Sequence, residues 1–337
     1  MALIFVDGFD HYASTDFTKK WTAIASAPTI GSSAGRRSGG AMQWSSSGYA
    51  TKTLAGTTSW VIGFAMTLSF VSTAGPFATL LDAASTQCDL RINLDQTLSV
   101  TRAGTAVTGG TSILALALNT YYYIEWKVTI ADSIAANSCK VRVNGVDWIT
   151  VATGQDLKAT ANTTANQIRL GGTAGGLTGS IDDLYICDNS GSTNNDFLGD
   201  CRVDTLLPNG DGNYTSFTPS TGTTHYLLVD ESTPNTSDYN ESSTVTNKDS
   251  YQMVNLGALA SQTIYGIQVS GAVLKDDAGV RSLKVGVRSS STDSVSAAQG
   301  PSTSQLYLSN IHETDPATAT AWTESGVNAA ESLFEVA

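Results

Sequence analysis

Two stretches of strict two-residue alternation constrain this chain more than any other feature. From Trp60 to Phe70 the apolar residues fall at Trp60, Ile62, Phe64, Met66, Leu68 and Phe70, with mostly small or polar residues between them. From Tyr121 to Ile130, the set Tyr122, Ile124, Trp126, Val128 and Ile130 alternates with Tyr121, Tyr123, Glu125, Lys127 and Thr129. Successive side chains of a strand point to opposite faces, so this period marks half-buried strands and not helices. Phe64, Leu68, Tyr122, Trp126 and Val128 are expected inside a sandwich.

The rest of the chain reads the same way. Cys139–Val143 and Trp148–Val151 flank Asn144-Gly145, the strongest short hairpin signal. Leu3–Val6, Phe77–Leu81, Asp89–Leu94, Leu98–Thr101, Ile168–Leu170 and Ser180–Ile186 are further short strands. Ala115–Leu118 is too short for a helix and is stopped by Asn119-Thr120. The stretch 189–200 is polar, rich in Gly, Ser and Asn, and aperiodic, so it is expected to be a linker. Beyond it, strands are expected at Arg202–Leu207, Tyr226–Val229, Ser250–Asn255, Ile264–Leu274, Ser282–Arg288 and Gln305–Leu308. Asn209–Asn213 reads as a tight turn and Lys275–Gly279 as a hairpin turn joining two long strands. A short helix is expected at Val327–Leu333.

Composition agrees with an all-β chain. Ser and Thr make up 83 of the 337 residues, and there are 31 Gly. Charged residues are only 14%, against a usual ~25%. The net charge is −12, which disfavours nucleic acid and anionic lipid as partners. It is unevenly spread: residues 1–190 hold 12 Lys/Arg against 13 Asp/Glu, and residues 191–337 hold 6 against 17. That asymmetry supports two domains, an N-terminal one over 1–188 and a smaller one over 201–337.

His11, His225 and His312 are scattered, and no HExxH, paired CxxC or Cys/His cluster occurs, so no metal or cofactor is expected. Cys88, Cys139, Cys187 and Cys201 have no framework spacing; free, mostly buried thiols are expected, with a Cys187–Cys201 bridge as the alternative. The apolar run after Met1 is too short for a secretion leader, so the chain is expected to be made in the cytoplasm. No apolar run approaches the ~20 residues of a membrane-spanning helix.

Two resemblances go further. The strand YYYIEWKVTI, the hairpin KVRVNGVDW, the strand QIRLGG and the closing strand GSIDDLYICD resemble concanavalin A-like, laminin-G-type sandwiches. The opening FVDGFDHY fits the start of such domains. This resemblance implies an N-terminal jellyroll over about residues 1–188, followed by a smaller β-sandwich. IDDLYICDNSGSTNNDFLGDCRVDTLLPNGDG, HYLLVDE, KDSYQM, LKDDAGVRSLKVGVRS and DPATATAWTESGVNAAESLFEV together resemble bacteriophage virion proteins of tail and fibre modules. That resemblance implies a structural role as a tail-fibre, collar or decoration subunit, located in the virion. The implied partners are other virion proteins and copies of the same chain, with a trimer as the first expectation.

Candidate chemistry is sparse. Asp182 and Asp183 are neighbours in a strand and are expected to face opposite ways, hydrogen-bonding loops, where a glycosidase needs two carboxylates flanking one bond. Asp188, Asn189, Asn194, Asn195, Asp196 and Asp200 offer oxygen ligands of the kind calcium takes, but without an EF-hand spacing. No GxSxG, GxGxxG or P-loop is present. Trp44, Tyr49 and Trp148 are the residue types that would stack on a glycan, with Trp60 and Tyr121 further candidates by type. Three functions therefore compete: a virion structural protein, a lectin-like module reading host-surface glycan, and a polysaccharide-degrading enzyme. The last is disfavoured because the sequence lacks the Glu-x-Asp-x-(x)-Glu strand, with carboxylates on one face, that sandwich hydrolases of similar fold use.

Overall fold

A computed structural model describes residues 3–258 and 262–337. The chain is all-β and divides into two compact units, Met1–Val203 and Asp204–Ala337. The division therefore falls after the stretch 189–200, which belongs to the first unit. Among the described residues no helix is long and apolar enough to cross a membrane.

The first unit is a sandwich of two antiparallel sheets. One runs in the order Val146–Val151, Ser138–Val143, Tyr122–Thr129, Ser59–Val71, Leu177–Asp188, Ala41–Trp44, Thr29–Gly31, with Leu3–Asp7 also paired to Leu177–Asp188. The other runs Thr105–Ala115, Thr97–Arg102, Ser85–Ile92, Gly75–Asp82, Ala165–Gly171, Tyr49–Thr57, Ala23–Ala25. From Ala41 to Asp82 successive strands change sheet at every step, which is the wrapping of a jellyroll. Phe64 of the first sheet meets Phe77 of the second edge to face, 6.3 Å between ring centres, in the middle of the core. Phe64, Leu68, Trp126 and Val128 are buried, as the alternation requires. Tyr122 is only half-buried, beside the half-buried Trp148. The Asn144-Gly145 turn has φ of 50° and 78°, the left-handed pair that a two-residue hairpin needs.

The second unit is a smaller sandwich. Its five-stranded antiparallel sheet runs Pro208–Thr215, Lys248–Met253, Glu331–Val336, Leu283–Ser289, Thr292–Val295. A two-stranded ribbon, Ile267–Val273 with Leu306–His312, packs on it. Val269 and Leu308 from the ribbon meet Val285 and Val287 from the sheet, with Trp322 and Val327 alongside.

Several sequence expectations for this unit are corrected. Arg202–Leu207 forms no strand. Asn209–Asn213 lies inside the strand Pro208–Thr215, because Glu331 reaches the Asn213 N–H (2.9 Å) and Gly212 leaves room for Ser250 and Glu331. Tyr226–Leu228 is a 3-10 turn. Ile267–Val273 pairs with Leu306–His312 and not with Leu283–Ser289, so Lys275–Gly279 joins no hairpin. The helix spans Glu324–Ala329, started by the Thr323 hydroxyl accepting the Gly326 N–H at 3.0 Å, and Glu331–Val336 is the central strand of the sheet.

Candidate functional site

The outer face of the eight-stranded sheet should be wet if alternation were the whole story. Instead Tyr123, Glu125 and Tyr185, which project from it, are buried. The cover is the segment 196–203, a strap laid across the face. Glu125 Oε1 accepts the Tyr185 hydroxyl at 2.5 Å and the Gly199 N–H at 2.8 Å. The Tyr185 hydroxyl in turn accepts the Leu198 N–H at 3.1 Å. The Tyr123 and Tyr185 rings stack, 6.5 Å between centres, and the Tyr123 hydroxyl donates to the Asp183 carbonyl. Gly63 lies beneath Tyr185 because any Cβ there would sit 2.1 Å from the ring.

Asp182 and Asp183 complete the clamp. The strand Leu177–Asp188 carries one residue more than its partner between the pairs Asp182↔Ala65 and Tyr185↔Gly63, and Asp183 has φ of 51°. A bulge of this kind re-aims side chains. It turns both carboxylates to the same loop, overturning the expectation that they face opposite ways. Asp182 Oδ2 accepts the Arg36 N–H at 2.8 Å. Asp183 accepts Arg36 Nε at 3.1 Å, makes a 2.9 Å ion pair with its second amino group, and takes the Val203 N–H at 2.9 Å. Arg36 also reaches Asp200 at 2.5 Å and the Cys201 carbonyl at 2.7 Å, with its guanidinium over the Tyr123 ring. The expectation that the aspartates bond loop backbone is met in geometry. Burial, then the charge of Asp183, pushes the Asp182 carboxyl up to about 7. Burial, then Glu125, pushes the Cys201 thiol up to about 12.

These are the residue types of an acid–base site, yet the strap and the Arg36 loop occupy their hydrogen-bonding positions. Within this cluster, Glu125 Oε2 is buried without a partner. The carboxylates of 188–200 do not converge either: Asp188 caps Ser190, Asp196 holds Lys127 at 2.9 Å, and Asp200 holds Arg36. Among the described residues no group of three His, Cys, Asp or Glu is placed to hold a metal. All four cysteines are free thiols, and Cys187 and Cys201 are not bridged.

A second buried cluster closes the start of the sandwich. Lys20 Nζ lies 3.0 Å from Asp7 and 3.0 Å from His11 Nε2, and Asp7 also accepts Tyr12 and Trp21. Burial, then Lys20, pushes His11 down to about 3, so its ring is neutral. With Asp7 satisfied on both oxygens, this is a structural knot under Phe5 and Phe9. In the second unit, His225 Nδ1 meets Asp249 at 2.7 Å, but Asp249 also takes the Phe217 N–H and the Tyr251 hydroxyl, so it is bound to its own fold.

The glycan candidates do not gather. Trp44 is 3% exposed, packed beside Gly172 and Gly179, so burial removes it as a stacking platform. Tyr49 is half-buried with the Arg169 guanidinium 4.4 Å over its ring. Trp148 is half-buried on the strand at the opposite end of the first sheet from Trp44, edge-on to Tyr122. Trp60 is buried outright, and the Tyr121 hydroxyl donates to the Ala34 carbonyl. The clamp was missed in the sequence because its parts are far apart along the chain, Arg36 lying 146 residues from Asp182 and Glu125 74 from Gly199; the out-facing Tyr123 and Glu125 beside a tyrosine-bearing IDDLYI strand were its signal.

No family model and no curated protein matches the sequence. Among solved structures, a sialidase is similar over 45% of this chain and 15% of its own, at 11% identity and a TM-score of 0.33. Trypanosoma rangeli sialidase with sialic acid bound covers 48% of this chain and 27% of its own, at 11% identity and a TM-score of 0.35. A variant of the alginate lyase Aly36B in complex with alginate trisaccharide covers 55% and 97%, at 8% identity and a TM-score of 0.38. The chain thus spans well under two thirds of the sialidases it matches. Likenesses this loose carry no argument about activity or ligand.

Proposed function

We propose that this chain is a structural subunit of a bacteriophage virion, a tail-fibre, collar or decoration protein acting in particle assembly and in contact with the host surface. The observation that carries the reading is the commitment of Arg36, Glu125, Asp182, Asp183 and Tyr185 to holding the chain's own strap. The polar groups best suited to catalysis are used as a fastening, as a scaffold protein requires, so the reading is of a non-enzyme. The tail-and-fibre resemblance of the segments from IDDLYICDNS to ESLFEV supports the setting. The first unit, with 13 Lys/Arg against 15 Asp/Glu over residues 1–203, is the better candidate for docking on other virion proteins, because interface cores are depleted in charge. The test is antibody labelling of purified particles in the electron microscope, with mass spectrometry of their proteins. Labelled particles support the reading; a chain present in the lysate and missing from particles overturns it.

A second reading, a lectin-like module for host glycan, rests on the half-buried aromatic rings of Tyr49 and Trp148. A glycan array probed with the full chain and with Trp148→Ala tests it. Binding that Trp148→Ala abolishes supports the reading, and binding that survives removes Trp148 from it.

A further inference from the structure

Arg36, Arg37, Arg91, Arg102 and Arg142 of the first unit each lie against an aspartate. Arg169 does not. It stands on Ala165–Gly171, a central strand of the seven-stranded sheet, between Tyr49–Thr57 and Gly75–Asp82. Ile168 and Leu170 on that strand are buried in the core, so Gln167 and Arg169 face outwards. Among the described residues the Arg169 side chain has no hydrogen-bond or ion-pair partner, and its Nε is buried without one. Its contact is with the Tyr49 ring, 4.4 Å from the guanidinium. Tyr49 pairs with Gly171, which has no side chain to cover that ring. Thr51 and Thr79 flank Arg169 across the sheet, so only short side chains stand beside it. The next residue of that row, Asp89, is two strands away, roughly 10 Å between Cα atoms. Its carboxylate already takes the Thr101 hydroxyl at 2.6 Å and the Gly104 N–H at 3.2 Å. A guanidinium steadied on an aromatic ring, with its donors unused and no carboxylate of its own, is ready for an anion from outside.

We infer that this outer face binds an acidic saccharide, its carboxylate on Arg169 and a hydroxyl on Gln167. The guanidinium fork matches a carboxylate with two parallel hydrogen bonds. A phosphate monoester carries nearly two charges, and this site offers it one cation with Asp89 nearby. Gln167 lies two residues from Arg169 on the same face, about 7 Å along the strand. Its amide has no partner among the described residues and brings both a donor and an acceptor, the pair that a sugar hydroxyl satisfies. A carboxylate and a hydroxyl held at that separation on one rigid molecule describe an acidic sugar. The inference deepens the glycan-binding reading and rests on it, placing the ligand at Arg169 and Gln167 and not at Trp148.

The test is calorimetric titration of the full chain with trigalacturonate, its methyl ester, sialyllactose and lactose. The two acidic sugars are separate sources of the same carboxylate, and binding of either one supports the inference. The acid should bind at least roughly tenfold tighter than its neutral counterpart, as a charged hydrogen bond requires. Arg169→Gln should weaken it by roughly 10- to 100-fold, with far-UV circular dichroism unchanged. Trp148→Ala, on the other sheet, should bind as wild type does. Gln167→Ala should weaken binding by roughly fivefold, and decides the matter where Arg169→Gln fails to fold. Equal binding of acid and neutral sugar, acid binding that survives Arg169→Gln or Gln167→Ala, or loss of binding in Trp148→Ala overturns the inference alone. Binding of none of the four sugars overturns it together with the glycan reading.

Discussion

Replacing Arg36 with alanine should open the strap. The guanidinium holds Asp183 at 3.1 and 2.9 Å, Asp200 at 2.5 Å and the Cys201 carbonyl at 2.7 Å. Asp200 is about half exposed, so that pair counts for little. Asp183 is buried and would lose its cation, a loss that typically costs ~3–5 kcal/mol. Because Asp183 keeps the Val203 N–H, the lower end applies, about 3 kcal/mol. At 1.36 kcal/mol per decade, the opened population should rise on the order of a hundredfold. Cys201 reports on it. Its thiol is half-buried and pushed up to about 12, so it reacts slowly, and the other three cysteines are buried. In Arg36→Ala, a thiol reagent at mildly alkaline pH should label one cysteine per chain, mapped to Cys201, at a rate ~100-fold above wild type. Labelling at the wild-type rate would show that the guanidinium does not hold the strap.

Three further outcomes are expected. Gly63→Ala puts a Cβ where the Tyr185 ring sits, so it should cost ~1–3 kcal/mol in urea melts and speed Cys201 labelling as Arg36→Ala does. Trp126→Ala removes a fully buried indole that donates to Cys139 Sγ at 3.2 Å, and should cost ~3–5 kcal/mol, seen as a fall in melting temperature; an unchanged melt refutes its place in the core. Asp182 binds its proton more tightly folded than unfolded, so its contribution to stability is present at low pH and is lost as pH rises through about 7. Stability of Asp182→Asn relative to wild type should therefore climb by about 2–4 kcal/mol between pH ~4 and ~8, and a flat difference between the two pH values would refute the shift.

Local periodicity made the first sandwich legible. Phe64, Leu68, Trp126 and Val128 lie where two-residue alternation puts them, and Asn144-Gly145 turns where its chemistry demands. Alternation reports one face at a time, so it reads Tyr123 and Glu125 as solvent-facing; a strap some 75 residues downstream buries them, and nothing local to either residue encodes that. Asp182-Asp183 misleads for a related reason, because one extra residue in the strand rotates the second carboxylate. In the second unit the shorter strands defeat turn rules: Asn209–Asn213 has a turn's composition but is held extended by Ser250 and Glu331. The fastening site was therefore only faintly legible, since its parts come from residues 36, 125, 182–185 and 198–203.

The order of synthesis gives the strap a further consequence. Leu3–Asp7 is made long before its partner Leu184–Cys187 near the end of the unit, and the face holding Glu125 is sealed only by residues up to Val203. A nascent chain stopped before Leu184 has neither its opening strand paired nor its outer tyrosines covered. Contacts of such long sequence separation form slowly, so the first unit should fold largely after it has left the ribosome. A gene fragment cut at residue 188, where composition suggests the domain ends, would encode a sandwich missing its latch; the cut that preserves it falls after Val203.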